Sequence, residues 1–342
     1  MNNATNQPTI HEVAKEAGVS TATVSRVING LGNVKQETVE RVLTAIQKTG
    51  YIKQQKKEPQ LQVHENGSKI IGLICADIAS PMLMDILKIL EAHLRRYDYS
   101  VMVMNSNEDP ELERRQLRLM AERNVEAIIA YSTGRNEDLI YEIWLSGIPI
   151  LLMDRRPRMF DLPAVYTDKG YGMYEALEYL MKDLGHERIG IITADPEIPT
   201  NEDRLRGLKK FFKDHPECSD KELLWEYGDF SQEFGYEASG RLLVKGVTAI
   251  VACSSHLCVG VLSYCKNNQI QIPQEVSLIS FGAFTNASLI SPRITYIGDR
   301  NADVAAAMID WVCQIIVQGR NGGMKKVYLP RLIIEESCAP RA

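Results

Sequence analysis

The sequence lacks the features that mark membrane and exported proteins. No apolar run among its 342 residues is long enough to span a bilayer, and the N-terminal residues are polar rather than a hydrophobic export signal. We therefore expect neither membrane insertion nor secretion, and we predict a cytoplasmic protein.

Common catalytic signatures are missing as well. No G-x-G-x-x-G or phosphate-loop lysine motif follows a predicted strand, and the sequence contains neither a G-x-S-x-G elbow nor an H-E-x-x-H pair. The six histidines are scattered along the chain. These gaps predict a protein that is not an enzyme and that needs no cofactor.

Paired cysteines are also absent. The seven cysteines are odd in number, dispersed and mostly set in apolar runs, which argues for reduced thiols rather than a disulfide framework. Cys253, His256, Cys258 and Cys265 suggest a metal site, but they lack the paired C-x-x-C spacing. We therefore expect them to be structural side chains and predict no metal.

Excess positive charge, which is typical of DNA-binding proteins, is missing from the chain as a whole but not from its beginning. The net charge is −5, yet the first 60 residues carry eight basic and five acidic side chains. That segment is therefore +3 and the remainder −8. This division predicts that the N-terminal end approaches phosphates while the acidic body stays off them.

The most informative stretch runs from Thr9 to Asn29. Apolar residues recur at helical spacing over Ile10–Ala17, and Gly18 can adopt the left-handed conformation that ends a helix. Ser20 can cap a second helix that starts at Thr21 and exposes short polar side chains and one arginine, the types that read DNA from the major groove. A helical hairpin used only for packing is the alternative, but the combined pattern A-x-x-A-G-V-S-x-x-T-V-S-R-V-x-N favours DNA binding.

This pattern closely resembles the N-terminal headpiece of the LacI/GalR family of bacterial transcriptional regulators. The resemblance continues through Asn33-Val34-Lys35, a third helix over 36–49, and Gly50-Tyr51. It implies that Thr21, Ala22 and Arg26 contact base edges, while other polar residues chiefly position the phosphate backbone. The DNA-contacting residues expected from it are Thr9, Ser20, Thr21, Ala22, Thr23, Ser25, Arg26, Asn29 and Tyr51.

Residues 52–68 change character and are predicted to link the headpiece (1–51) to the body (69–342). The resembled family carries a hinge helix here, whose leucine enters the minor groove. In this chain Gln60 stands where that leucine is expected, and Pro59 would break a helix. Either Leu61 acts as the wedge at an altered geometry, or the linker stays extended and its lysines attract phosphates; we favour the extended linker.

Beyond the linker, short apolar runs alternate with amphipathic helical patterns, which indicates parallel sheets covered on both faces. Strands are predicted at 69–77, 100–106, 126–132, 149–154, 188–194, 223–227, 248–254, 276–281 and 327–335. The two series resemble the periplasmic-binding-protein fold of the LacI/GalR effector domain. The predicted fold class is therefore an all-α helix-turn-helix headpiece plus an α/β effector domain of two doubly wound lobes. One lobe is expected at about 69–165 and 299–325, the other at about 166–298 and 326–342.

In such sheets ligands bind outside the carboxyl ends of the strands, so residues just after the strands should line a cleft between the lobes. Arg204 is the strongest candidate, because the resemblance makes it the ligand-gripping arginine of an R-L-x-G motif and its fork suits hydroxyl pairs or a carboxylate. The effector-binding residues expected by position are Asp77, Ser80, Met82, Ser132, Asp154, Arg155, Asp168, Arg204, Ser254, Ser255 and Gly282.

The chain departs from the family pattern for neutral sugars. Ser254-Ser255 replaces an Asn-Asp pair, Gly282-Ala283 replaces aspartates, and Met82 and Leu83 replace aromatic residues. Losing acids while keeping Arg155 and Arg204 predicts a more positive cleft. Our hypothesis is an anionic effector such as a sugar acid or sugar phosphate; a neutral sugar or nucleoside-like ligand, or control by a protein partner without a small ligand, stays open.

The sequence thus predicts a homodimeric DNA-binding regulator that recognises a palindromic operator and is expected to repress transcription. When bound to DNA it would be associated with the bacterial nucleoid. A small effector or a protein co-regulator would modulate its operator affinity. The rival is a solute-binding protein that serves a transporter. That class shares the body fold, but it would need an export signal and has no use for a recognition helix.

Overall fold

The computed structural model describes residues 10–20, 23–24, 27, 36–49, 68–284, 287–318 and 323–341. In the headpiece it contains α1 (Ile10–Ala17) and α2 (Gln36–Thr49). Among the described residues the body contains twelve strands, which form two six-stranded sheets and are interleaved with helices.

The turn after α1 follows from its local sequence. Gly18 has a φ of +63°, its N–H donates to the carbonyl of Lys15 (3.3 Å), and the N–H of Val19 donates to that of Ala14 (3.0 Å). These two bonds are a glycine-terminated helix end that satisfies otherwise unpaired carbonyls. The Oγ of Ser20 then accepts from the N–H of Thr23 at 3.1 Å. The predicted glycine stop and serine cap are both confirmed.

The headpiece has its own small hydrophobic core. Side chains from α1, from the described residues after the turn and from α2 pack together, and Lys48 on α2 forms an ion pair with Glu16 on α1. Its fully or nearly fully buried members are Val13, Ala14, Ala17, Val24, Val27, Val42, Ala45 and Ile46.

The first lobe of the body is built on a six-stranded sheet in the order β11-β5-β4-β3-β1-β2. Its strands are β1 (Ile70–Cys75), β2 (Ser100–Asn105), β3 (Ala127–Tyr131), β4 (Ile150–Met153), β5 (Ala164–Thr167) and β11 (Lys325–Tyr328). Its helices are α3 (Pro81–Leu94), α4 (Pro110–Glu122), α5 (Glu137–Leu145) and α10 (Asn301–Gln318). A 3-10 turn over Arg95–Tyr97 extends α3.

The second lobe repeats this arrangement, with the sheet order β12-β10-β9-β8-β6-β7. Its strands are β6 (Arg188–Ala194), β7 (Glu222–Gly228), β8 (Ala249–Ala252), β9 (Ser277–Phe281), β10 (Thr295–Gly298) and β12 (Arg331–Ile333). Its helices are α6 (Lys169–Leu177), which continues as a π-helix over Glu178–Asp183, α7 (Pro199–Asp214), α8 (Gln232–Val244) and α9 (Ser255–Asn267).

The two sheets have the same topology. In each sheet the first strand of the lobe lies between the second and the third, and the later strands follow in chain order. Every pairing is parallel except that of β10 with β12. The strand order therefore reverses direction between β1 and β3 in the first sheet and between β6 and β8 in the second. Such switch points open a crevice at the carboxyl ends of the strands.

Apolar side chains fill both faces of each sheet. One cluster covers the second lobe on both faces, and two clusters cover the opposite faces of the first, one of them including α10 with its buried Trp311. The near-continuous apolar strands seen in the sequence are therefore buried on both sides, as the parallel-sheet prediction required.

Helices α6 and α7 approach each other closely through two glycines. A Cβ at Gly207 would lie 1.9 Å from the carbonyl oxygen of Gly170, so no larger residue fits without moving a backbone. This glycine ends the R-L-x-G motif, and the contact fixes α7, and with it Arg204, against the start of α6.

Three details of the prediction are wrong. β5 was not predicted, and the single strand expected over 327–335 is two strands, β11 and β12, which lie in different sheets. The expected lobe boundaries near 165 and 325 fall inside β5 and β11. The chain changes lobe three times, after Thr167, after Gly298 and after Tyr328, each time once a strand is complete. Pro330 stands at the third crossing, where it cannot continue the pairing of β11.

No helix in the described ranges is long and apolar enough to cross a membrane.

Candidate functional site

A cleft of about 460 Å³ lies between the lobes at the carboxyl ends of the strands. Both lobes supply its walls, as the switch points of the two sheets require. Nine of the eleven residues predicted to bind an effector line it: Asp77, Ser80, Met82, Asp154, Arg155, Arg204, Ser254, Ser255 and Gly282.

Ser132 and Asp168 were predicted to line the cleft and do not. The Ser132 hydroxyl points into the first lobe and donates to the buried carboxylate of Glu113 at 2.5 Å. Asp168 caps α6, accepting from the N–H of Gly170 at 2.9 Å, and also accepts from Arg206 at 3.1 Å. Both residues follow a strand, but hydrogen bonds to protein groups orient their side chains away from the cleft.

Arg155 is buried in the wall and is already neutralised. Its two Nη atoms donate to the two carboxylate oxygens of Glu108 at 3.0 and 2.5 Å, and Nη1 also donates to the carbonyl of Ser132 at 2.8 Å. Burial opposes the charged guanidinium, but Tyr131 and Glu108 outweigh it and raise the pKa of Arg155. This arginine therefore supplies structure and shape to the cleft rather than a free charge.

Lys169 is a second paired cation, in a group whose two carboxylates leave one net negative charge. Its Nζ lies 3.1 Å from Asp154 and 2.6 Å from Asp299, and all three side chains are nearly buried. Burial alone would lower the pKa of Lys169, but the two carboxylates outweigh burial and raise it. The lysine begins α6 of the second lobe and Asp154 follows β4 of the first, so the group joins the lobes at the floor of the cleft.

Arg204 differs from both. It is 4% exposed, and its partners are uncharged: the side-chain oxygen of Asn201 (2.6 Å), the hydroxyl of Thr200 (3.4 Å) and the carbonyl of Cys253 (3.0 Å). The guanidinium also lies over the ring of Phe281, 4.8 Å from its centre. Among the described residues no carboxylate pairs with it, and its Nε donates to no protein acceptor. Arg204 thus brings an unneutralised positive charge to the cleft.

The cleft contains groups that position alone did not reveal. Five carboxylates and five lysine or arginine side chains line it, so the expectation of a positive cleft is wrong for the lining as a whole. Aromatic rings are present as well, although not near the first strand where the family pattern has them. The lining residues missed by the sequence include Asp85, Glu108, Tyr131, Lys169, Phe230, Phe281, Tyr296, Asp299 and Arg300.

Polar atoms at the mouth of the cleft have unused hydrogen-bonding capacity. The hydroxyl of Ser80 stands before α3 without capping it. Asp77 accepts from the N–H of Ala79 at 2.8 Å, and its other oxygen faces Nδ1 of His256 on the second lobe at 3.8 Å. These groups can exchange hydrogen bonds with a hydroxyl-rich molecule.

A second set of contacts joins the lobes beside the cleft. We call it the interlobe clasp. Arg135 lies 2.6 Å from Asp195, and Arg158 lies 2.7 Å from Glu202. The clasp comprises Arg135, Arg156 and Arg158 from the first lobe and Asp195, Glu197, Glu202 and Asp203 from the second. All the cations stand on one lobe and all the acids on the other, so the clasp favours the closed arrangement.

The candidate nucleic-acid interface is only partly visible. Ser20 and Thr23 are at the beginning of the second helix, with their hydroxyl oxygens 2.8 Å apart. The other predicted DNA contacts lie outside the described residues: Thr9, Thr21, Ala22, Ser25, Arg26, Asn29, Tyr51 and Leu61. The glycine stop, the serine cap and the packed first and third helical segments are the framework that such an interface requires.

Comparison with known families matches both parts of the chain. Residues 9–54 match the model "Bacterial regulatory proteins, lacI family", and residues 68–330 match "Periplasmic binding proteins and sugar binding domain of LacI family". The chain belongs to the LacI family. It is a member of a family of transcriptional regulators rather than of enzymes.

Individual relatives agree with LacI-family membership. The transcriptional repressor PurR of Mannheimia succiniciproducens is 30% identical over 299 residues, covering 86% of this chain and 87% of its own. The structure of the lac repressor dimer bound to operator and an anti-inducer is 21% identical, with a TM-score of 0.68, and covers 98% of this chain and all of that one. A Cra regulator from Pseudomonas putida in complex with fructose 1-phosphate is 20% identical, with a TM-score of 0.68 and coverage of 78% and 98%.

LacI-family membership decides between the alternatives for the N-terminus. A solute-binding protein accounts for the body alone, whereas the match over residues 9–54 adds the regulatory headpiece.

The cysteines form no disulfide among themselves. All seven are free thiols, and burial raises the pKa of Cys258 and Cys265. No group of three or more potential metal ligands occurs within the described part of the chain.

Proposed function

We propose that this LacI-family regulator is a homodimeric repressor whose affinity for a palindromic operator is set by a carbohydrate-derived anion bound between the lobes. The observation that carries the effector class is Arg204. A buried guanidinium without a carboxylate partner is costly unless another negative group compensates it. A sugar phosphate or sugar acid supplies that negative group. The forked guanidinium of Arg204 can bind two oxygens of one such anion.

The remainder of the cleft suits the rest of such a molecule. Ser80 and Asp77 offer hydrogen bonds to hydroxyl groups, while the rings of Phe230 and Tyr296 offer apolar surface to a sugar ring. The cavity volume falls within the range that holds small ligands. The Cra regulator, whose structure contains fructose 1-phosphate, supports the idea that this fold accommodates a phosphorylated sugar.

Control of DNA binding requires that the effector bind the open and closed lobes unequally. Arg204 and Ser254 belong to the second lobe, and Asp77 and Ser80 to the first, so a molecule that touches both sides favours closure. We infer that closure changes the spacing of the two headpieces in the dimer. The lac repressor, whose structure is a dimer bound to operator, is the relative that supports this arrangement.

The proposal can be tested in two steps. Operator sequences selected from random DNA should be palindromic, and gel-shift titration should give a salt-dependent affinity. Calorimetry with sugars paired with their phosphates and acids should then show binding of the anionic member, and that member should change the gel shift. Tight binding of uncharged sugars with none of acidic ones would replace the anionic class by a neutral one. A change in operator affinity only with a protein partner would remove the small effector.

A further inference from the structure

Two of the four arginines that line the cleft, Arg155 and Arg204, are oriented by chemically different partners. Arg155 is gripped by a carboxylate, Glu108, through both Nη atoms. Arg204 is gripped by an amide oxygen, that of Asn201, at 2.6 Å. The first pair is neutral overall, and the second keeps a full positive charge. The difference between a Glu and an Asn therefore decides which of these two arginines keeps a charge that can attract an anion.

The Asn201 side chain is held in one orientation. Its Nδ2 donates to the carbonyls of Ala194 (2.9 Å) and Asp195 (2.7 Å), so its Oδ1 must face the other way. That oxygen accepts from the Thr193 hydroxyl at 2.6 Å and from Arg204. Asn201 is 2% exposed. A flipped amide would set its NH₂ against the guanidinium and lose both carbonyl contacts, so the bonding fixes the assignment.

We propose that Asn201 is the specificity-determining residue for effector charge: it positions the Arg204 fork without neutralising it. This rests on the proposed function, because it concerns the same cleft. An aspartate at this position has nearly the same shape, but it would place a carboxylate where the amide oxygen now lies. That carboxylate would neutralise the Arg204 charge within the protein, as Glu108 neutralises the charge of Arg155. Asn201 does not line the cleft and acts through Arg204.

The test compares an aspartate, which adds a charge at nearly constant shape, with an alanine, which removes the side chain. Thermal unfolding is followed against sodium sulfate at constant ionic strength, since a ligand of the folded state raises stability with its concentration. The sulfate effect left in Arg204→Gln gives the non-specific part to be subtracted. We expect Asn201→Asp to weaken specific sulfate binding about tenfold or more, the loss of one charge-assisted contact. Asn201→Ala, which keeps the charge but loses the orientation, should weaken it about threefold.

The reciprocal variant is Glu108→Gln, which should release the Arg155 charge and strengthen sulfate binding. An aspartate also loses the donations to the carbonyls of Ala194 and Asp195, so the unfolding temperature without sulfate gives the structural cost of each variant. A merely structural role for Asn201 would lower that temperature and leave the sulfate response unchanged. Equal losses with Asp and Ala, or no loss with Asp, would overturn the role of Asn201 and leave the anionic effector standing. Absence of specific sulfate binding by the unaltered protein would overturn both.

Discussion

The Nζ of Lys169 lies 2.6 Å from the carboxylate of Asp299, in a nearly buried group that also includes Asp154. The residues come from distant parts of the sequence and meet where the chain crosses between the lobes. One cation stands between two acids at the floor of the cleft, so the group keeps one net negative charge and contributes to the charge that an effector meets.

Lys169→Met should therefore destabilise the protein strongly. Removing the cation leaves two carboxylates buried without a partner, which typically costs about 3 to 5 kcal/mol. The loss measured by urea unfolding should be smaller at pH 5 than at pH 7. The orphaned acids acquire raised pKa values in the folded state, so their protonation relieves the destabilisation as the pH falls.

Lys182→Met is the matched control, because Lys182 pairs with Glu217 at the surface. Its removal should change stability little at either pH. A Lys169 variant as stable as this control would mean that the buried group contributes little.

Opening of the interlobe clasp should change the shape of the protein before it changes its stability. Arg135→Gln removes the ion pairs with Asp195 and Glu197, which are partly exposed and contribute about 0.2 to 1 kcal/mol each. Small-angle X-ray scattering should show a larger radius of gyration at low salt. The difference from the unaltered protein should shrink toward 0.5 M salt in this account, because screening weakens the exposed pairs in both.

Arg188→Gln provides the comparison for the clasp, because Arg188 pairs with Glu222 within the second lobe. The radius of gyration should not change in that variant. If both variants scatter alike, the clasp does not hold the lobes together.

His186 should make stability depend on pH. Its ring is buried between the hydroxyls of Thr248 (2.8 Å) and Ser277 (3.0 Å), and burial lowers its pKa below the ordinary 6.5. The unfolded chain then binds a proton more readily than the folded one, so stability is complete above pH 6.5 and falls as the pH drops toward the folded pKa. The slope attributable to one such proton is at most about 1.4 kcal/mol per pH unit.

His186→Gln should flatten that part of the profile, whatever it does to stability at pH 7. Chemical unfolding between pH 5 and pH 7.5 measures the two slopes. Identical slopes in both proteins would show that another group is responsible.

Much of this fold could be predicted because its signals are local. The Gly18 stop and the Ser20 cap need only a few neighbouring residues, and the buried strands are continuous apolar runs. β5 could not be predicted, because Ala164–Thr167 is four residues long and is a strand only through its pairing with β4 and β11.

The candidate site was predictable to the extent that it follows strand ends. That rule found Asp154 and Ser254, whereas Arg204 lies within α7 and is indicated by the R-L-x-G resemblance. The rule also selected Ser132, because the buried Glu113 that draws the hydroxyl inward comes from α4. It missed Lys169 and Asp299, which are 130 residues apart in sequence and meet only when the lobes are assembled. Partner identity, rather than position, determines which of these charges is free.

Arg26 is a prediction from the sequence alone, since it lies outside the described residues. If it reads a base edge, Arg26→Ala should weaken binding to the selected operator by about 1 to 3 kcal/mol and reduce discrimination against random DNA. Fluorescence anisotropy with both DNAs at one salt concentration measures this. Equal weakening on both DNAs would assign Arg26 to phosphate contact instead.

The central claim is that an anion held by Arg204 controls operator binding. The most direct measurement is the operator dissociation constant, with and without the anionic ligand identified by calorimetry, for the unaltered protein and for Arg204→Gln. We expect the ligand to shift the constant of the unaltered protein severalfold or more, and to leave that of Arg204→Gln unchanged while its ligand-free operator affinity stays the same. A ligand response that persists in Arg204→Gln would contradict the account.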